Sequence, residues 1–240
     1  MYTKKLIALG ANLTLFVLGI IGCALEFGQH GFVSCIIFYT FNSNVLGTVA
    51  AGIMSWYLIV CIAKDTEKIP KWVIMFKYMA TSVLTVTFLV VVFVLAPMYR
   101  QQFSSLGKSL SALLFKGNML YQHFLCPVTA ILSTLFVDYP LDKDEQLLGR
   151  RPGPFPAALI ALIPTVIYAA VTILLNILGV LDGPYPFLRV RHQPVYASIL
   201  WCVLILALAY AIAFVLARFG TMFKRPEPKK SSRHEPNIYL

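Results

Sequence analysis

Residues 72–96 read WVIMFKYMATSVLTVTFLVVVFVLA, a run with no acidic residue, no glycine and no proline. Hydrocarbon about 30 Å thick is crossed by roughly 20 apolar helical residues, so the stretch predicts a membrane-spanning helix. Comparable stretches lie at about 6–25, 35–62, 118–137, 157–180 and 195–218. Each can satisfy its own backbone hydrogen bonds inside a bilayer. The expected fold is therefore an all-α integral membrane protein with six transmembrane helices.

Composition agrees. The 240 residues are 59% hydrophobic and 12% charged, a balance that leaves no polar surface for a water-soluble globule. Little polar sequence remains for a second domain, so residues 1–223 are read as one six-helix unit and 224–240 as a basic, disordered tail. The first apolar run is longer than a signal-peptide core and lacks a small-residue cleavage site, so it is read as a retained helix. Cys23, Cys35, Cys61, Cys126 and Cys202 lie in or beside apolar runs without metal-ligand spacing, which reads as buried thiols.

The net charge of +10 does not point to nucleic acid, because the basic residues punctuate the loops. With the N-terminus inside, fourteen Lys and Arg fall in inner segments, among them Lys4, Lys64, Lys68, Arg150 and Arg151. Five fall in outer ones: Arg100, Lys108, Lys116, Arg189 and Arg191. That asymmetry places both termini in the cytoplasm of a multi-pass cell-membrane protein. Between the third and fourth spans, Phe103 to Lys116 carries Leu106, Leu110, Leu113 and Leu114 at helical spacing. It reads either as an interfacial helix or as an early start to the fourth span.

Polar side chains kept inside a span mark where a hydrophobic chain tolerates cost for function. Two stretches carry them: Phe38-Tyr39-Thr40-Phe41-Asn42-Ser43-Asn44 in the second span, and Asn118 to Pro127 in the fourth, with the one histidine inside any span, His123. Thr40, Asn44, Gly47 and Ala51 share a helical face, as do His123, Pro127, Ala130 and Thr134. Small-residue faces pack closely, which would bring Thr40 towards His123. Both spans run in the same direction, so the two residues share one depth, beneath the loop that carries Tyr185. Pro127 cannot donate to the His123 carbonyl, and a kink is expected there.

A neutral imidazole can take the proton of a hydroxyl, making Thr40 a candidate nucleophile and His123 its base. The amides of Asn42, Asn44 or Asn118 could donate to a developing oxyanion, and Tyr185 could touch substrate or anchor its loop. No carboxylate lies inside a span to orient the imidazole unless Glu26 or Asp182 dips in from a loop. The structural alternative has Thr40 and the asparagines bonding helix backbones together while His123 caps the carbonyl freed by Pro127.

The Phe-x-Thr-Phe core around Thr40, the segment His123 to Pro127, and Tyr185-Pro186-Phe187-Leu188 together resemble the androgen-induced-gene family. The resemblance implies a multipass membrane hydrolase of fatty acid esters of hydroxy fatty acids, with Thr40 and His123 as its threonine and histidine. No cofactor and no metal are expected. Pro127 follows His123 at four residues rather than the five of animal members, and Asn42-Ser43-Asn44 replaces a less polar run. These features resemble the family's bacterial branch.

Competing classes fare less well on the residues. A small-molecule or lipid transporter would suit six helices with a polar niche, yet coupled transport draws on several intramembrane ionisable groups. A haem bundle needs paired axial ligands. A metal site would have to gather His30 and His192 with His123 and Glu26 or Asp182. A rhomboid-type serine protease needs a Gly-x-Ser-Gly stretch that no span contains.

Overall fold

The computed structural model describes residues 2–66, 69–137 and 153–220. The tail 224–240, together with Lys68, Lys143, Arg150 and Arg151, lies outside the described residues. Among the described residues there are six helices long and apolar enough to cross a membrane: Tyr2–His30, Tyr39–Ala63, Lys71–Met98, Leu120–Val137, Pro154–Ile177 and Val195–Phe219. Among the described residues no strand accompanies them. The fold is that of an all-α, six-span membrane protein.

The third span is the axis of the bundle. Some 67% of its most apolar stretch is buried, against 22–39% in the other five. A helix apolar on every face belongs at such a centre. Its hydroxyls stay satisfied by bonding back one turn, Ser82 to the Tyr78 carbonyl at 2.9 Å and Thr85 to that of Thr81 at 2.8 Å. Tyr78 donates across to Ala213 O of the sixth span at 2.6 Å. The first span packs chiefly on the second, and Gly22 lets it approach the fourth so closely that a Cβ would lie 2.9 Å from that of Tyr121.

Prolines shape the rest. A wide π-helical turn, Leu120–Leu125, precedes Pro127, and a similar turn, Val91–Leu95, precedes Pro97. Each accommodates a ring that an α-helical turn would crowd, and the kink expected at His123 takes this form. In the fifth span Pro164 divides Pro154–Ala161 from Ile163–Ile177. The first segment buries Ala157, Ala158 and Ala161 and packs against the sixth span; the second contacts that span far less.

One helix boundary differs from that expected, and one left open between two alternatives is resolved as a separate helix. The second span does not begin near residue 35: a short helix, Phe32–Ile36, ends first, and the span starts at Tyr39. Asn42 holds that break, its amide donating to the carbonyls of Ile36 at 2.7 Å and Phe38 at 2.9 Å. The stretch before the fourth span forms a separate helix, Leu106–Phe115, whose N-cap Ser105 accepts from the Lys108 amide. Gly117 follows with φ of 58°, the left-handed conformation that turns the chain into the fourth span.

The ends of the bundle are distinguishable by their contacts. Lys5 donates to the Thr66 carbonyl at 2.9 Å, and Gly220 lies against Thr134, so the two described ends of the chain share one side. Thr40, Leu113, His123 and Tyr185 lie together at the opposite side.

Candidate active site

Thr40 sits in the first turn of the second span, just past the break that Asn42 stabilises. His123 lies in the π-helical turn of the fourth. Both are buried, and His123 Nε2 is 3.3 Å from Thr40 Oγ1. On the other side of the ring, Nδ1 lies 2.6 Å from the carbonyl oxygen of Leu113, on the separate helix before the fourth span. A carbonyl only accepts, so Nδ1 carries the proton of the neutral ring and Nε2 turns its lone pair to Thr40. A backbone carbonyl thus takes the orienting place that a carboxylate would fill.

Neither carboxylate weighed from the sequence reaches His123. Glu26 does dip into the protein and is buried, but it accepts from Asn118 Nδ2 and from Gln122 Nε2 at 3.5 Å, with His30 3.4 Å away. Asp182 pairs with His192 at 2.9 Å on the surface. Among the described residues no group of three or more His, Cys, Asp or Glu gathers as a ligand set.

The three asparagines are placed differently from Thr40 and His123. Asn42 supports the helix break described above. Asn44 donates to Thr40 O at 2.9 Å and to Gln122 O at 3.1 Å, locking the second span to the fourth beside the site. Asn118 serves Glu26. All three amides are engaged away from the Thr40 hydroxyl. The lower parts of the two small-residue faces also diverge, because the third span wedges between them: Gly47 faces Leu84, and Thr134 donates to Thr81 at 3.1 Å.

Tyr185 is brought to the site. Its hydroxyl lies 3.4 Å from both the backbone nitrogen and Oγ1 of Thr40. It belongs to the loop between the fifth and sixth spans, where burial pushes its phenol above the ordinary value and keeps it a donor. Its ring stacks on Phe187 at 5.3 Å between centroids, and Phe187 in turn meets Trp201 at 5.7 Å.

Beside Thr40 is a cavity of about 260 Å³. Thr40, Tyr39, Thr87, Thr165, Tyr168 and Tyr185 are among its lining residues, and apolar side chains of the third, fifth and sixth spans and of the loop before the sixth make up most of the rest. Tyr39 bonds Thr165 at 2.8 Å, and Tyr168 donates to Ile37 O at 2.7 Å, fixing the fifth span to the broken start of the second. The nearest sequence signal was the Tyr and Thr spacing in the fifth span, three residues from Thr165 to Tyr168. Thr40 therefore has an imidazole behind it and an apolar chamber beside it.

No family model, curated protein or solved structure matches the chain.

Proposed function

We propose that the protein is an intramembrane hydrolase of fatty-acyl ester lipids, with Thr40 as nucleophile and His123 as general base. The observation that carries the reading is the alignment Leu113 carbonyl, His123 imidazole, Thr40 hydroxyl, ending at an apolar cavity. A lone structural histidine needs one partner; this ring is oriented at one nitrogen and presents the other to a hydroxyl.

Thr40 Oγ1 attacks the ester carbonyl as its proton passes to His123 Nε2. Tyr185 donates to the oxygen on which charge develops. The tetrahedral intermediate collapses to acyl-Thr40, and His123 returns the proton to the departing alcohol. Water, deprotonated by the same imidazole, then attacks the acyl-threonine; the bond from the acyl carbon to Thr40 Oγ1 breaks, His123 returns the proton to Oγ1, and the fatty acid is released. The 3.3 and 3.4 Å separations suit a site without substrate, where catalytic hydrogen bonds are commonly long.

The resemblance to the androgen-induced-gene family adds the substrate class, fatty acid esters of hydroxy fatty acids, and the basic asymmetry of the loops adds a cell-membrane location with cytoplasmic termini. The site then faces the extracytoplasmic leaflet. The test is release of free fatty acid from such an ester by purified protein. Thr40→Ala that folds normally yet hydrolyses the ester at the wild-type rate would refute the proposal.

A further inference from the structure

The cavity beside Thr40 has a closed roof and an open side, and their placement bears on how a substrate arrives. The roof is aromatic: Tyr185 and Phe187 lie nearly parallel, 2° between planes, and Trp201 completes the layer. Phe187 and Leu188 are themselves buried, so the loop side is closed. The fifth span is broken at Pro164, and beyond the break its second segment is tied to the start of the second span by the Tyr39–Thr165 and Tyr168–Ile37 hydrogen bonds and touches the sixth span far less than its first segment does. At the resulting gap, Val166 lines the cavity while 44% exposed on the outer surface of the bundle, and Ala170 is likewise both lining and exposed. Cys202 and Leu206 of the sixth span, each half-buried, form the facing edge.

In a six-span protein that outer surface meets lipid acyl chains rather than water. A chamber of about 260 Å³ with apolar walls is small for a drug-like ring system and suited to a stretch of hydrocarbon chain. Thr40 and Tyr185, whose hydroxyls lie 3.4 Å apart, are among its lining residues, and an ester would lie against them. We propose that the acyl chain of the substrate enters sideways from the bilayer, between the second segment of the fifth span and the sixth span, and lies in this cavity with its carboxyl end at Thr40. The proposal rests on the hydrolase reading for the identity of that end, while the chain site itself rests on the lateral opening.

The test reads binding without turnover. Thr40→Ala protein with Trp56→Phe and Trp72→Phe, leaving Trp201 at the cavity wall, is placed in phosphatidylcholine vesicles. The methyl ester of mid-chain dibrominated stearic acid is added as a fluorescence quencher. Saturable quenching is expected, with half-saturation shifted upward roughly tenfold by Ala170→Phe, which narrows the gap. Quenching that rises in proportion to the ester's share of the bilayer, unaltered by Ala170→Phe, would overturn the proposal. Independently of any plug variant, the ester should slow maleimide addition to Cys202, read by mass of its peptide; absence of protection also overturns it. Saturable quenching alongside a wild-type protein that hydrolyses nothing would remove the hydrolase reading alone. Hydrolysis with unsaturable quenching would remove the lateral site alone.

Discussion

His123 Nδ1 lies 2.6 Å from the carbonyl oxygen of Leu113, ten residues earlier on a helix of its own. The bond fixes the ring's tautomer and its angle from outside the fourth span, so the short helix Leu106–Phe115 is part of the site's geometry. His123→Ala removes the base and leaves the threonine hydroxyl with Tyr185. Hydrolysis should fall by about 10²–10⁴-fold with ester binding retained. Imidazole added to the assay should restore part of the rate, a rescue that a purely structural histidine would not show.

Tyr185→Phe deletes the hydroxyl nearest Thr40 while keeping the ring that stacks on Phe187. A loss of about 10²–10³-fold in kcat is expected if that hydroxyl steadies the oxyanion, with unchanged thermal stability. Because burial raises its phenol, Tyr185 stays protonated beyond the ordinary value near 10. The rate should show no alkaline decline below that pH from this group, and a pH profile on wild type checks it.

Asn118 and Glu26 form a buried polar pair that joins the first span to the fourth. Removing Asn118 leaves the buried Glu26 carboxylate with only the longer Gln122 and His30 contacts, so Asn118→Ala should lower stability by about 1–3 kcal/mol. The rate of the folded fraction should remain near wild type. A large kcat loss at full stability would instead return Asn118 to the reaction.

At Gly22 the first span lies close against the fourth, with a Cβ there 2.9 Å from that of Tyr121. Tyr121 meets it with the base of its side chain, which cannot swing away. Gly22→Val should therefore cost about 1–3 kcal/mol, measured as a lowered melting temperature in detergent.

The spans were legible because a bilayer sets a length and a composition that residues 72–96 meet without ambiguity. The approach of Thr40 to His123 followed from helical spacing and from two spans that run the same way. The direction of an amide did not: Asn42, Asn44 and Asn118 sit in the right stretches, yet each is drawn to a carbonyl or carboxylate that only the folded backbone presents. The break before Tyr39 carries no glycine or proline at its hinge, so periodicity ran through it. The cavity depends on how far the fifth span leans after Pro164, a tertiary angle that local sequence does not encode.

The claim on which the rest depends is that Thr40 becomes acylated. Purified protein treated with a fluorophosphonate should carry the label on the peptide that contains Thr40, as identified by mass spectrometry. Labelling should vanish in Thr40→Ala and slow strongly in His123→Ala, both with native melting behaviour. Undiminished labelling of a folded Thr40→Ala protein, or label on another residue in wild type, would contradict threonine catalysis.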